Sequence, residues 1–285
     1  MAASVAVSVD GRDVEVAPGT TLREACRQAG VEIPTLCFNP NFSPANACRL
    51  CVVELEGART LAPACSRAAE PGMRILTGSD RVRLSRRLVL ELLASSVDLS
   101  LAGELQALLA DYGARPQRFA AAEAATVRQP VKVDNELYVR DYSKCVLCYR
   151  CVQACGSEAQ NTFAIWVAGR GFEARIATEF DAPLPDSACV YCGNCIEVCP
   201  TGALMFKTEF DLRESGTWAE ERQHTTTTIC PYCGVGCSLD LVVQDNQVVR
   251  VNSPADNEIT HGNLCIKGRF GVQAPIMPRK SHPPH

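Results

Sequence analysis

Two runs of cysteines with the same spacing constrain this chain more than any other feature. Each run follows C-x2-C-x2-C-x3-C, so four thiols fall within eleven residues. Sulfurs that close together surround a bulky [4Fe-4S] cubane well, whereas structural zinc usually takes two separated ligand pairs. The spacing therefore predicts two iron–sulfur clusters, and zinc or unligated thiols are the disfavoured alternative. The first run is Cys145, Cys148, Cys151 and Cys155, and the second is Cys189, Cys192, Cys195 and Cys199.

The two runs are expected to exchange their last ligands. In two-cluster ferredoxins the fourth cysteine of each run binds the other cluster. Gly156 stands where a proline usually follows the first run, and this changes a turn but no ligand. The rule assigns one [4Fe-4S] cluster to Cys145, Cys148, Cys151 and Cys199, and the other to Cys189, Cys192, Cys195 and Cys155.

A third set of cysteines follows the spacing C-x10-C-x2-C-x13-C and consists of Cys37, Cys48, Cys51 and Cys65. It comes after a strand, a turn at Asp10-Gly11, a second strand and a helix that begins after Thr21 and stops at Gly30. This order predicts a small α+β unit of ubiquitin-like type. Spacing alone leaves zinc open, but two neighbouring [4Fe-4S] motifs favour a [2Fe-2S] cluster.

A fourth set has the spacing C-x2-C-x3-C-x27-C and consists of Cys230, Cys233, Cys237 and Cys265. Zinc is again the alternative to a [4Fe-4S] cluster. Lys267 follows the last cysteine, and a positive charge there would favour a reduced anionic cluster and could bridge to a second redox group. The simpler interpretation is an exposed lysine in a turn. Cys26, the one cysteine outside the four sets, is predicted to be a buried apolar residue on the first helix.

Composition excludes several function classes. The chain has 285 residues, 17 cysteines and a net charge of −4, without the clustered basic face that nucleic-acid binding needs. The N-terminus lacks a basic, apolar leader, and the most apolar stretch carries Glu91, Asp98 and Glu104, which argues against membrane insertion. Thiolates that bind metal must stay reduced, so a cytoplasmic location is expected.

Four segments are predicted along the chain. They are a [2Fe-2S] ferredoxin-like domain (1–79), a helical segment with a linker (80–135), a two-cluster ferredoxin-like domain (136–210) and a small β-rich [4Fe-4S] domain (223–279). Two helices are expected between 80 and 112, surface linkers at 113–135 and 211–227, and a hairpin in the last segment.

The order of these motifs resembles the N-terminal part of NAD-dependent, molybdenum-containing formate dehydrogenases. It also resembles the large iron–sulfur subunit of respiratory complex I and the diaphorase iron–sulfur subunit of NAD-reducing hydrogenases. The stretches PTLCFNPNFSPANACRLCVVE, KCVLCYRCVQAC and ACVYCGNCIEVCPTGAL carry the likeness. TTTTICPYCGVGC together with CIKGRFG favours the formate dehydrogenase branch. The resemblance implies that the Cys230 set holds a [4Fe-4S] cluster beside a molybdopterin, with Lys267 between the two.

The chain departs from that family in two ways. The family carries a further cluster, bound by one histidine and three cysteines, before an ELQ sequence, but Ser96 and Ser100 stand at the first two of these positions. Serine hydroxyls are poor ligands for iron–sulfur iron, so this cluster is expected to be absent. The large molybdopterin domains also do not follow residue 285, so these residues alone are not expected to oxidise formate. A separate electron-transfer subunit and a truncated product both fit.

The resemblance implies electron transfer with a flavin/NAD-binding subunit as partner and a separate molybdopterin catalytic subunit as a possible second. The alternatives are an iron–sulfur redox sensor or scaffold, and a hydrogenase diaphorase subunit. One [2Fe-2S] and three [4Fe-4S] clusters are the expected cofactors, and no catalytic residue is assigned.

Overall fold

The computed structural model describes residues 4–121 and 129–272, and these fall into two compact units. The first unit comprises 4–39, 43–121 and 144–149, and the second comprises 40–42, 129–143 and 150–272. Each unit combines helices and strands, which confirms the predicted mixed class. The predicted segments also include 122–128 and 273–279, which lie outside the described residues.

A five-stranded sheet with the order β2-β1-β5-β3-β4 underlies the first unit. The predicted hairpin turns at Asp10-Gly11, where both residues have positive φ (48° and 85°). Alternation along β1 places its valines on the buried side, as the sequence pattern predicts. β1 pairs antiparallel with β2 and parallel with β5. The strands are β1 (Val5–Val9), β2 (Arg12–Val16), β3 (Val52–Leu55), β4 (Ala62–Pro63) and β5 (Arg74–Leu76).

Helix α1 (Leu22–Gln28) covers this sheet and begins where the capping signal predicts. The Thr21 side chain accepts a hydrogen bond from the Glu24 amide at 3.3 Å, which satisfies one of the unpaired donors of the first turn. Cys26 has no exposed surface and packs in the core, which confirms its prediction as a buried residue. Burial raises the pKa of its thiol to about 11.

The two helices expected between 80 and 112 are α2 (Asp80–Ser96) and α3 (Gly103–Asp111). Arg86 is buried on α2 and its guanidinium donates to the Val52 carbonyl at 2.8 Å and to the Tyr112 hydroxyl at 2.7 Å. Because Val52 follows Cys51 directly, this arginine ties the helix to the strand that leaves the third cysteine set.

The beginning of the predicted linker at 113–135 is held against α2. Glu91 is fully buried and accepts hydrogen bonds from the Arg115 amide at 3.0 Å and the Arg118 guanidinium at 2.9 Å. Burial alone would raise the pKa of this carboxyl, but the two hydrogen bonds and the arginine charges outweigh it, and the pKa is lowered. Residues 113–121 form no helix or strand and are mostly exposed, as a surface linker would be, but one buried carboxylate anchors two of their arginines.

The second unit contains two small two-stranded sheets and one three-stranded sheet with the order β10-β11-β12. The hairpin predicted in the last segment is formed by β11 and β12. The elements are β6 (Tyr138–Arg140), α4 (Arg150–Cys155), β7 (Trp166–Ala168), β8 (Arg175–Ala177), α5 (Asn194–Glu197), β9 (Leu204–Phe206), α6 (Lys207–Glu214), β10 (Gln223–Ile229), β11 (Ser238–Gln244), β12 (Gln247–Asn252) and α7 (Ile266–Phe270).

The second predicted linker, 211–227, is wrong. Helix α6 occupies its start, and strand β10 occupies its end and pairs with β11 along seven residues. Trp218 lies between them with the guanidinium of Arg213 4.7 Å and that of Arg250 5.1 Å from its ring centre. The stretch looks like a linker because β10 is an edge strand whose polar side chains face solvent.

In the described part of the chain, none of the helices combines the length and the apolar character that crossing a bilayer requires.

Candidate iron–sulfur sites

The third cysteine set is gathered in the first unit beside the sheet. The Sγ atoms of Cys51 and Cys65 are 3.4 Å apart, and the Cys48 amide lies 3.5 Å from the Cys37 Sγ. The loop between Cys37 and Cys51 turns through two residues with positive φ, Asn46 (56°) and Arg49 (59°). Such backbone is costly for residues other than glycine and is typical of loops that wrap a bound group.

Within this set the four thiols influence one another's ionisation in two pairs. A hydrogen bond from Cys37 lowers the pKa of Cys48 to about 5, and one from Cys65 lowers the pKa of Cys51 to about 7. The hydrogen-bonded partner thiols Cys48 and Cys51, followed by burial, raise the pKa values of Cys37 and Cys65. Two thiols of the four are therefore poised to become thiolates, the form that binds metal.

The two C-x2-C-x2-C runs share their local backbone. Leu147 and Tyr191, the residues before the second cysteine of each run, have φ of 51° and 56°. Tyr149 and Gly193, the residues after it, have φ of 67° and 71°. The repeat seen in the sequence is thus also a repeat of conformation, and it includes three bulky residues in a region that normally favours glycine.

The second unit brings Cys155 together with the second run. Burial is the main cause that raises the pKa of Cys195, followed by the nearby thiols Cys192, Cys155, Cys189 and Cys199. Backbone amides donate hydrogen bonds to these sulfurs, as expected for the loops of a thiolate site. The Ala164 amide is 3.2 Å from the Cys155 Sγ, and the Tyr191 amide is 3.4 Å from the Cys189 Sγ. The Asn194 amide donates to Cys192, in the glycine-bearing loop.

A tyrosine side chain also contacts this group of sulfurs. The Tyr138 hydroxyl is 3.1 Å from the Cys189 Sγ, and its ring lies 6.2 Å from the rings of Tyr191 and Phe270. Burial, then the contact with Cys189, raises the pKa of Tyr138, so the hydroxyl stays protonated and can donate to a thiolate. Sequence analysis missed this residue because it lies far from Cys189 along the chain.

The four thiols of the remaining ferredoxin-like quartet are divided between the two units. Cys145 and Cys148 belong to the first unit and Cys151 and Cys199 to the second. Cys148 packs in the apolar cluster of the first unit, and Cys151 lies on α4. The assignment of these four to one cluster stays a prediction.

The fourth set lies around the turn into β11 and the start of α7. Burial raises the pKa of Cys237, as do Cys230, Cys233 and Cys265, so the four thiols are neighbours. Cys230 is buried, whereas Cys233 and Cys265 are exposed. Lys267 is exposed and lies in α7, two residues after Cys265.

The donor chemistry fits iron–sulfur clusters. All 17 cysteines lie in the described part of the chain, and none of them forms a disulfide. No three or more His, Cys, Asp or Glu side chains of the described residues are arranged to hold a single metal ion. The thiolates of a cluster bind different iron atoms, so they need not converge on one point as zinc ligands do at about 2.3 Å.

Three family models match successive parts of the chain. Residues 2–80 match a 2Fe-2S iron-sulfur cluster binding domain, residues 136–205 match the ferredoxin-like domain of NADH-quinone oxidoreductase subunit 3, and residues 223–274 match a molybdopterin oxidoreductase Fe4S4 domain. Domains of both cluster types are therefore present.

Similarity to whole proteins extends over nearly the same length. The NADPH-Fe(3+) oxidoreductase subunit alpha of Geobacter sulfurreducens is 35% identical over 94% of this chain and 31% of its own length. A Staphylococcus haemolyticus protein named "Putative formate dehydrogenase" is 30% identical over 93% of this chain and 30% of its own length. The crystal structure of an NAD+-reducing [NiFe]-hydrogenase in the H2-reduced state contains a chain that is 30% identical, with a TM-score of 0.63, and the match covers 72% of this chain and 88% of that one.

This chain belongs to their iron–sulfur superfamily. It spans about a third of the length of the curated relatives it matches. The superfamily predicted from the cysteine motifs is thereby confirmed. The choice of the formate dehydrogenase branch within it stays a proposal.

Proposed function

We propose that this chain relays single electrons through iron–sulfur clusters in an NAD-linked formate dehydrogenase-like complex. In this role it connects a molybdopterin site, as the one-electron donor, with a flavin/NAD subunit, as the acceptor, and the direction can reverse. The observation that supports the proposal is the gathering of three groups of cysteines: the Cys37 set, the second run with Cys155, and the Cys230 set. In these groups the sulfurs lie near other thiols or backbone amides, which is the donor chemistry of cluster ligation.

The residues suggest which thiols hold which group. The Cys37–Cys48 and Cys51–Cys65 pairs would each hold one iron of a [2Fe-2S] cluster, since each pair is joined by its own sulfur contact. The three remaining quartets would each hold a [4Fe-4S] cluster. When bound, the clusters supply one-electron redox chemistry at potentials that hydrogen bonds to sulfur and burial adjust. In this proposal the described residues hold the electron carriers and are assigned no bond-making or bond-breaking step.

The chain's own residues would hold and shield the sulfurs. Amides of Ala164, Tyr191 and Asn194 donate to the cysteine sulfurs and so stabilise negative charge on them. Cys37, Cys51 and Cys65 have at most 2% of their surface exposed, which shields these three sulfurs from water, and Cys48 is half-buried. Cys233 and Cys265 are exposed, and this is the side where we place the molybdopterin partner, with Lys267 between.

The relatives differ in what they oxidise or reduce, so the substrate of the complex rests on the motif resemblance. TTTTICPYCGVGC and CIKGRFG favour formate. An NAD-reducing hydrogenase diaphorase subunit, or a sensor or scaffold without a catalytic partner, would use the same cysteines.

The decisive experiment is anaerobic purification of residues 1–285, followed by iron and zinc analysis and EPR spectroscopy after reduction. The expected content is about 14 irons per chain, with signals of both two-iron and four-iron clusters. Addition of NADH should reduce the clusters only when a flavin-binding subunit is present, and reduction by formate should need a molybdopterin subunit.

Two cysteine variants sharpen this result. Cys51→Ser should remove about two irons and the two-iron signal while the four-iron signals persist. Cys26→Ala is the matched control, because Cys26 is equally buried in the same unit but lies outside the four sets, and its iron content should stay unchanged. Stoichiometric zinc with little iron would refute the proposal, and full clusters without reduction through any flavoprotein would favour the sensor or scaffold.

A further inference from the structure

Arg269 is the most completely buried charge near the cysteine sites. It has no exposed surface, and its guanidinium donates to the Val251 carbonyl at 2.7 Å, to the Asn194 Oδ1 at 3.2 Å and to the Glu197 carboxylate. Burial of a guanidinium is costly even when it is paired, and a hydrophobic replacement is often as stable. A role beyond stability is therefore worth testing.

The partners of Arg269 belong to a different cysteine set from Arg269 itself. Asn194 and Glu197 lie in the second ferredoxin-like run, whereas Arg269 follows Cys265 and its amide donates to the Cys265 carbonyl at 3.0 Å. The Asn194 Oδ1 also accepts from the Leu264 amide at 2.9 Å, directly before Cys265. These bonds join the loop of one cysteine set to the segment that carries the last ligand of another.

The close approach depends on a glycine. Gly193, between Cys192 and Asn194, has φ of 71°, and a Cβ there would lie 2.7 Å from the Arg269 Cγ and 3.1 Å from the Phe270 Cζ. Phe270 in turn packs against Tyr138 and Phe206, with ring centres 6.2 Å and 5.7 Å away. The side chains of Arg269 and Phe270 on α7 thus pack tightly against the loop of the second run, so α7 and this loop cannot shift independently.

Arg269 also acts on the second run by its charge. Its guanidinium donates to the Asn194 Oδ1 at 3.2 Å, and Asn194 lies between Cys192 and Cys195 in the sequence. A positive charge held at this loop favours added negative charge at the second run. The Glu197 carboxylate, which accepts from the same guanidinium, offsets part of this effect.

We propose that Arg269 is a positioning residue for electron transfer. It fixes the separation between the Cys189 set and the Cys230 set, and it raises the reduction potential of the cluster at the Cys189 set. An electron that arrives there reduces one ferric iron to ferrous iron, and the nearby guanidinium stabilises the added negative charge. The inference rests on the proposed electron-transfer function.

The test uses three variants of the full chain and EPR-monitored redox titration. Arg269→Gln should shift one four-iron midpoint potential to lower values and weaken the spin–spin interaction between neighbouring reduced clusters. Arg269→Lys keeps the charge but loses the forked donor, so it should restore most of the potential but not the spin–spin interaction. Arg213→Gln, at a half-buried arginine paired with Glu209, is the control and should change neither.

Because Arg269→Gln leaves Glu197 buried without its partner, the double variant Arg269→Gln/Glu197→Gln covers the case in which the single variant loses iron. Because the double variant removes one charge of each sign, it is judged by the spin–spin interaction, which should weaken. An unchanged potential in Arg269→Gln with full iron content, or an unchanged interaction in the double variant, would overturn the proposal. So would an Arg269→Lys potential that falls as far as that of Arg269→Gln. Failure of the proposed function is distinguishable, since the unaltered chain would then hold little iron, or would hold its clusters without being reduced through any flavoprotein.

Discussion

Replacement of Tyr138 by phenylalanine should lower the potential of one four-iron cluster. Tyr138 is 3% exposed, and its hydroxyl contacts the Cys189 Sγ at 3.1 Å. A thiolate bound to iron carries no proton, so the tyrosine must donate. The bond becomes stronger when an electron is added, and it therefore favours the reduced state.

The size of the shift can be estimated. A hydrogen bond to a charged group contributes about 1.5–3 kcal/mol, and if reduction strengthens it by about half, the difference is about 1 kcal/mol. For a one-electron couple a tenfold change in equilibrium, about 1.4 kcal/mol, corresponds to about 59 mV, so the expected decrease is about 40 mV. The ring packing against Tyr191 and Phe270 is kept, so the protein should fold and bind iron normally.

The assay is an EPR-monitored titration of the anaerobic protein, with Tyr191→Phe as the matched control. Tyr191 is the neighbouring aromatic residue, but no hydrogen bond from its hydroxyl to a sulfur is found among the described residues. Its replacement should leave the potential in place. A Tyr138→Phe protein with full iron content and an unchanged or higher potential would show that the hydroxyl does not act on the cluster.

Three further predictions follow from single positions. Gly193→Ala should lower the free energy of unfolding by about 1–3 kcal/mol, because a Cβ there is strained at positive φ and clashes with Arg269. Gly216→Ala is the control, since Gly216 has φ of 70° but open space around it. Denaturant titration should show a smaller loss of unfolding free energy for this control. Glu91 has a lowered pKa in the folded chain, so its stabilisation is present above the unfolded value of about 4.3 and is lost as the pH falls through the folded value. The hydrogen-exchange protection factors of the amides after α3 should fall in that acid range, and Glu91→Gln, whose protection is already low at neutral pH, should not show this fall. Lys267→Gln should keep the full iron content but slow electron exchange with a molybdopterin subunit, measured by stopped-flow, and a loss of iron would contradict its assignment.

Local signals in the chain were sufficient for much of the first unit and for the nature of the sites. The alternation at Val5–Val9, the Asp10-Gly11 turn and the Thr21 cap each act within a few residues, so the sequence pattern predicts them directly. The type of chemistry was equally readable, because the closely spaced thiols of each set already indicate a cluster, although each set also takes a more distant cysteine. The prediction of a linker at 211–227 was wrong, since the side chains of β10 face solvent and are as polar as those of a linker.

The amino-acid sequence by itself predicted clusters of both types and the superfamily, because ligand spacing and the order of the motifs can be read directly from the chain. Only the tertiary structure decided what surrounds the sulfurs. Tyr138 meets Cys189 across 51 residues and Arg269 meets Asn194 across 75, and no periodicity links such positions. Packing places these side chains, and their hydrogen bonds and charge act on the sulfurs at the distances that the fold allows.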